Sequence, residues 1–319
     1  MRGPAQICML PNGRLHLHDG PIDLIIHADG RRTAVEQAYR AAATRFVTVL
    51  DELCAELPLL RAQALPNSPR PRGPIAQCMF DAVLRSAGFQ PASPGRALEP
   101  CLSPPLFITP MAAVAGAVAE AILTEMTNAA KFDRAYVNNG GDIALHVTPG
   151  HSYSIGMVER PETPALFGSA EISAESNIRG IATSGWRGRS FSLGIADAVT
   201  VLASTAPAAD AAATIIANAV NLPNHPAMTR VPANQIAPDS DLREIPITRN
   251  VAPLSIREIH QALNNGVRAA KTLQSQELIR SAALCLQGQV RVTCRDALPR
   301  PSADATQPRL VPRRSLQHA

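Results

Sequence analysis

Three short stretches of the chain carry side chains whose types and spacing suit chemistry. The first is Asn138-Asn139-Gly140-Gly141-Asp142. Paired glycines admit positive φ and let backbone approach a ligand closely. Asn139, Gly140, Gly141 and Asp142 are therefore candidate cofactor-binding residues, with the Asp142 carboxylate an acceptor for a ribose, a ring nitrogen or a backbone amide. Asn-Gly is also the commonest signal for a two-residue hairpin turn, and that reading stays open. The second stretch, residues 180–190, sets Thr183, Ser184, Gly185, Arg187 and Arg189 in one strand-to-loop segment. Hydroxyls, amides and guanidinium groups are what a phosphate or pyrophosphate requires, although a solvated loop with charged edges has the same composition. Trp186, the only tryptophan, either stacks on a ring or walls the loop. The third stretch, residues 209–214, holds Asp210 and Thr214. A spacing of four puts both on one helical face, where a carboxylate and a hydroxyl can hold Mg²⁺ against a phosphate. The competing reading has Asp210 complement the helix dipole while Thr214 packs.

Other residues offer less. His16 and His18 alternate on one strand face, where a metal could bridge them or where both are simply exposed. His146 and His151 flank a turn and could serve acid–base work as neutral imidazoles. Cys78 and Cys101 have no visible base partner, so no nucleophile is assigned among them. No catalytic residue is identified.

These groups must be positioned by elements that the pattern makes legible. Residues 14–18 and 22–28 alternate around Asp19-Gly20-Pro21 and predict a hairpin. A Thr33-to-Glu36 capping box predicts the start of a helix with apolar positions Val35, Tyr39, Ala42, Phe46, Val49, Leu53 and Leu57, ending near Pro58. A short helix is expected over 75–87, between proline-rich connections at 65–74 and 91–105. Thr109-Pro110 reads as an N-cap and first helical residue, opening a helix to about Asn128. Ala113, Gly116, Ala117 and Glu120 give that helix a small-residue face, suited to close packing, to a ligand or to a second subunit in a homodimer.

Strand-like runs follow at 134–137, 143–147, 153–158, 169–173 and 179–183, and another apolar run at 197–203. A helix is predicted from Pro207 through Val220, then a proline- and asparagine-rich loop over 222–250. The capping box Ser255-Ile256-Arg257-Glu258 opens a last long helix, interrupted at Asn264-Asn265-Gly266, before a strand over 289–294. The expected fold class is α+β. Residues 1–106 form an N-terminal hairpin-helix part, 107–295 the core, and 296–319 a disordered tail.

Composition excludes several functions. The chain has 319 residues, 46% of them apolar and 18% charged, so a globular body is expected rather than disorder. The formal charge of +4 rests on arginine, since Lys131 and Lys271 are the only lysines. With aromatics at 3% there is no base-stacking platform, and nucleic acid is not an expected partner. No run is apolar enough to span a membrane: the most apolar, 111–126, carries Glu120 and Glu125. The first ten residues lack the apolar region of a signal peptide, and the six cysteines form no metal-type pairs. A cytoplasmic protein with reduced thiols is expected.

Order and spacing join the three chemical stretches into a pattern. Residues 107–221 resemble the ApbE superfamily of Mg²⁺-dependent FAD:protein FMN transferases. That family has N-x-G-G-D after a strand, A-T-S-G downstream, then V-T-V-x-A before a helix bearing A-D-A-x-x-T. These correspond here to residues 138–142, 182–185, 199–203 and 209–214. The chain is still more similar to an ApbE-like branch with no assigned reaction. Members of that branch carry R-L-H-L-x-x-G-P-I-D-L, P-M-A-A-V-A-G-A-V-A-E and S-L-G-x-A-D-A-V-T-V, found here at 14–24, 110–120 and 192–201.

The resemblance implies a T-fold-like mixed-sheet domain packed with long helices. Asp210 and Thr214 would be metal ligands, and Gly140, Gly141, Asp142, Thr183 and Ser184 would line a site for FAD or a related flavin nucleotide, with an acceptor protein as partner. Two transferase segments are missing. Residues 113–119 stand where G-x-x-K-G-Y/F-A is expected and hold no lysine, and residues 191–197, FSLGIAD, replace H-I-x-D/N-P-x-T-G. Binding of a phosphorylated cofactor is thus better supported than flavin transfer. The alternatives are a non-catalytic cofactor-binding or accessory protein and an enzyme of pterin-type cofactor synthesis.

Overall fold

The computed structural model describes residues 3–88, 107–158 and 166–294. The expected proline-rich segment over 91–105 and the C-terminal tail lie outside the described residues. In chain order the elements are strands β1 (Gln6–Leu10), β2 (Arg14–Asp19) and β3 (Ile22–Asp29), then helices α1 (Arg32–Ala55), α2 (Leu57–Leu60) and α3 (Pro74–Ser86). After them come α4 (Val114–Ala129), β4 (Arg134–Asn139), β5 (Asp142–Val147), β6 (Ser152–Val158), β7 (Leu166–Ser173), β8 (Gly180–Ser184) and β9 (Ala198–Ala203). The chain continues with α5 (Ala206–Ala219), β10 (Met228–Pro232), α6 (Ala233–Ile236), β11 (Pro246–Val251), α7 (Ile256–Ser275), β12 (Ser281–Leu286) and β13 (Gln289–Cys294).

Period-two burial builds the sheet. Leu15, Leu17, Ile22, Leu24 and Ile26 point into the core while the strand positions alternating with them, such as His16, His18, Asp23 and Ile25, stay half-exposed. Nine strands line up as β1-β2-β3-β4-β5-β8-β9-β12-β13. The class is α+β as expected, and every described pairing is antiparallel, so the sheet is not mixed. Helices α1, α4, α5 and α7 pack in that order, side by side, over β2 to β13. Residues of alternating parity separate the two faces. Ala144, Ala182 and Val201 join the helix-side core, whereas Leu145, Ile181 and Leu202 pack with Ile172 and Ala170 of the β6–β7 hairpin on the far side. Strands β5 and β8 meet over just two paired positions, Ile143 with Ile181 and Ala144 with Gly180.

Several local expectations change. Helix α1 buries Tyr39, Ala42, Phe46, Val49 and Leu53 as its spacing predicts, but it starts at Arg32 with no side-chain cap. Glu36 instead takes the Arg32 guanidinium at 2.8 Å, an i,i+4 pair that competes with the capping box. Thr109 caps nothing: its hydroxyl donates to Asp241 Oδ2 at 2.5 Å, and a 3₁₀ turn over Pro110–Ala113 precedes α4. The Ser255–Glu258 capping box does form.

Helix α7 runs unbroken through Gly266, where an added Cβ would collide with Val220 and come within 2.6 Å of Leu284 Cδ2. The glycine serves packing, not interruption. Strands β1, β10, β11 and β12 are additional to those predicted. The β10–β11 ladder pairs Pro232 with Pro246, and prolines are tolerated where a two-stranded ribbon leaves edges unpaired. The small-residue face of α4 packs within the chain, since a Cβ on Gly116 would collide with the Ala206 carbonyl of α5. That face is consequently not free for a second subunit.

Candidate functional site

The first stretch is a two-residue hairpin joining β4 to β5, with Asn139 paired to Asp142. Gly140 (φ 66°) and Gly141 (φ 114°) both occupy conformations that side chains resist. The Gly141 N–H donates to Asn138 Oδ1 at 2.8 Å and closes the tip. Buried Asn139 donates through Nδ2 to the Ala115 carbonyl at 3.2 Å, which fixes the tip against the start of α4. The turn reading holds, and the turn is what delivers Asp142 to the helix layer.

Asp142 and Asp210 come together there. Asp142 accepts from the Thr183 N–H at 3.2 Å. Burial pushes its carboxyl up to about 7, against the opposing pull of that N–H and of the Arg189 guanidinium. Asp210 accepts from the Gly116 N–H at 2.9 Å and also from the Ala115 N–H, at the N-terminus of α4. Burial first, and then the nearby Asp142 charge, raise its carboxyl well above the usual carboxylate range.

The exchange between helices is reciprocal. Glu120 of α4 accepts from the Ala206 N–H at the N-terminus of α5 at 2.8 Å, while Thr205 Oγ1 caps Ala208. Each helix thus supplies the carboxylate that satisfies the other's first-turn amides. Burial raises the Glu120 carboxyl too, with the Ala206 N–H opposing.

Around this pair the remaining predicted residues divide. Thr214 lies one turn beyond Asp210 on a half-buried stripe of α5 that continues to Asn218, while the flanking residues are buried. Thr183 hydrogen-bonds Thr200 through the two hydroxyls at 2.9 Å, and half-buried Ser184 ends β8 opposite Val199. Gly185 is buried where a Cβ would collide with the Asp197 carbonyl. Arg187 turns to Asp197: its Nε donates to Oδ1 at 2.7 Å and its guanidinium lies 4.3 Å from the Trp186 ring centroid. Trp186 Nε1 donates to the same oxygen at 3.1 Å, so the tryptophan walls the loop.

The guanidinium that reaches the glycine tip belongs to Arg189, whose Nη2 sits 2.5 Å from where a Gly140 Cβ would be. Arg179 is spent on the Ala174 and Ile178 carbonyls, each at 2.7 Å. His146 packs edge-on against Phe132 with centroids 5.1 Å apart, and burial lowers its basicity. His151 bonds the Thr148 hydroxyl at 3.2 Å.

The α4 N-terminus and Glu120 escaped sequence reasoning as parts of the site. The signal available was Glu120 itself, an acid on an otherwise small-residue helix face. Among the described residues no group of three or more His, Cys, Asp or Glu is arranged for a metal. Two clefts lie elsewhere. One, of about 810 Å³, is lined by residues such as Phe107, Asn234 and Arg243, and the other, of about 480 Å³, lies along α7. No described helix is long and apolar enough to cross a membrane.

The chain is similar to several known proteins. The apbe protein of Thermotoga maritima is 11% identical, with a TM-score of 0.45, covering 90% of this chain and 96% of that one. The flavinyl transferase ApbE of Pseudomonas stutzeri, in its apo form, is 11% identical at a TM-score of 0.41, covering 92% and 95%. A UPF0280 protein of Methanopyrus kandleri is 40% identical over 114 residues, 36% of this chain and 44% of that protein. A UPF0280 protein of Methanospirillum hungatei is 34% identical over 135 residues, 39% and 50% respectively. The chain thus spans about half the length of the curated relatives it matches. A family model described as AbpE bacteria matches residues 7–292, and the chain accordingly belongs to this ApbE-like family.

Proposed function

We propose that the chain binds or processes a flavin nucleotide, FAD or FMN, together with Mg²⁺, at the cluster of Asp142, Asp210, the glycine tip and Arg189. The observation that carries this reading is the meeting of Asp142 and Asp210, two carboxylates held in mutual repulsion beside a helix N-terminus. Membership of an ApbE-like family supports the flavin part.

The donor set fits the metal. Hard oxygens from one or two carboxylates, completed by phosphate oxygens and water, are what Mg²⁺ takes, and Asp210, Asp142 and the Thr214 hydroxyl would hold it. When bound, Mg²⁺ offsets the charge that develops on a pyrophosphate as it is cleaved. The chain's own groups do the rest. Arg189 holds an anion over Gly140, where the absence of a Cβ leaves backbone amides in reach, and the Thr183 N–H holds Asp142 in place. On this reading the protein is cytoplasmic, and an acceptor protein or a second copy of the chain are its macromolecular partners.

Incubating the purified chain with FAD and Mg²⁺ tests the proposal through AMP release or flavinylated protein. Release that Asp210→Ala lowers by about 100-fold, the loss typical of a missing group that stabilises developing charge, is the expected outcome. Absence of turnover with any dinucleotide, in wild type and variant alike, overturns the enzymatic form. One observation favours the second reading, a binding or accessory protein without turnover: the Asp210 carboxylate is already engaged by the Gly116 and Ala115 amides. Tight FAD or FMN binding by fluorescence quenching, without AMP release, selects that reading. A pterin retained through purification and identified by mass spectrometry replaces the flavin in either.

A further inference from the structure

On the sheet face away from the helices, β1, β2 and β3 bring together three groups that sequence spacing leaves unconnected. The β1–β2 register sets Cys8 directly opposite His16, and the β2–β3 register sets Asp23 opposite His18. Cys8 Sγ lies 3.6 Å from His16 Nδ1. The other ring nitrogen, Nε2, lies 2.8 Å from Asp23 Oδ1. An ionised carboxylate accepts only, so Asp23 fixes the ring proton on Nε2 and leaves the Nδ1 lone pair facing the thiol. This is a nucleophile, a base and a group that orients the base, in line. Cys8 is exposed, while the His16 side chain is 27% exposed and is held by its carboxylate. Other charged groups on this face include Arg14, two residues before His16, His18, whose Nδ1 is 3.9 Å from Asp23 Oδ2, and, further along β3, His27 and Asp29 with its partner Arg134. Because each nitrogen of His16 serves a different partner, the geometry is that of a proton relay rather than of ligands converging on an ion.

We propose that Cys8 is a reactive thiol, served by His16 as base and by Asp23 as orienting group, that forms mixed disulfides with small disulfide compounds. The thiol proton passes to His16 Nδ1 as the sulfur attacks one sulfur of the incoming disulfide. The S–S bond of that compound breaks as the Cys8 S–S bond forms, and the departing thiolate leaves with the proton from His16. Cys8 is oxidised, and half of the incoming disulfide is reduced to thiol. The site lies on the opposite face of the sheet from the helix layer and does not depend on the flavin reading.

Cys54, exposed near the end of α1, is an internal reference within the same molecule. The full-length protein is treated with glutathione disulfide at pH 6.5, and both cysteines are followed by peptide mass spectrometry. Cys8 is expected to react about tenfold faster than Cys54, because a positioned base takes its proton during the attack. His16→Gln brings Cys8 down to the Cys54 rate, Asp23→Asn lowers it several-fold, and His18→Gln leaves it unchanged. At pH 10, where thiols ionise without help, the contrast closes. An unchanged Cys54 rate and thermal melt in each variant certify the fold. Equal rates for Cys8 and Cys54 in the wild type at pH 6.5 overturn the proposal, as does a Cys8 rate that Asp23→Asn and His16→Gln leave untouched.

Discussion

Two carboxylate centres flank β8 and β9, and they are built on opposite terms. Asp197 is buried, with its side chain 1% exposed, and its oxygens receive the Arg187 guanidinium, the Trp186 indole and the Gln287 N–H at 2.7, 3.1 and 2.5 Å. A cation and two further donors leave that charge little to seek. The Asp142 and Asp210 carboxylates receive backbone amides and the more distant pull of Arg189, and they repel one another. Buried charge that the chain pairs itself is structural, whereas the Asp142 and Asp210 pair, left short of cations, is the candidate for a ligand to approach. The contrast also explains why the two arginines of the same loop differ. Arg187 is consumed in making the loop, and Arg189 is left to face the glycine tip.

The comparison is most exposed to removal of each centre's carboxylate. Asp197→Ala strands an indole N–H, a backbone N–H and a guanidinium, and should cost roughly 3 kcal/mol in chemical denaturation. Asp210→Asn relieves repulsion and should cost less than about 1 kcal/mol at pH 7.5. Equal losses would dissolve the distinction drawn between the two centres. Next in size is Gly116→Ala, whose Cβ collides with the Ala206 carbonyl. Forcing α4 from α5 loosens both cross-helix contacts, and a loss of about 2 kcal/mol is expected, with Asp197 unaffected by the change.

The smallest effect is on pH. The raised Asp142 carboxyl keeps a proton in the folded state that the unfolded chain has given up, so its contribution is fully present below about pH 4 and is lost as pH rises through about 7. Melting temperature should fall by about 3 °C between pH 5 and 7.5, and Asp142→Asn should flatten that slope. A slope that is identical in this variant would assign the titration elsewhere.

Much of the architecture could be read from residue order, and the reasons are local. The alternation at Leu15, Leu17, Leu24 and Ile26, the stripe of α1 and the Ser255 capping box each express one dominant force over consecutive residues. What escaped depended on partners distant in sequence. Strand β12 is buried at every position, so alternation could not reveal it, and Gly266 signals a break until Val220 and Leu284 are seen beside it. The same holds at the site. Residue type singled out Asp142, Asp210 and the glycines as candidates, but that Arg187 is engaged within the loop turned on Asp197, ten residues downstream of it and indistinguishable by type from any exposed acid.

The two hydrogen bonds that α4 and α5 exchange have a further consequence for how the molecule holds together. Helix α4 lies on β4 and β5, the last strands of the first half of the sheet, and α5 lies on β8 and β9, the first of the second half. Between those halves the sheet itself is stitched by two paired positions and the Leu145 N–H to Arg179 carbonyl hydrogen bond. Glu120 to Ala206 and Asp210 to Gly116 cross that join in opposite directions, so they act as a splice over its thinnest point. Whatever draws Asp210 away from the α4 amides slackens one strap of the splice. On the proposed reading, a ligand taken up by Asp210 loosens the mechanical coupling of the two halves of the protein.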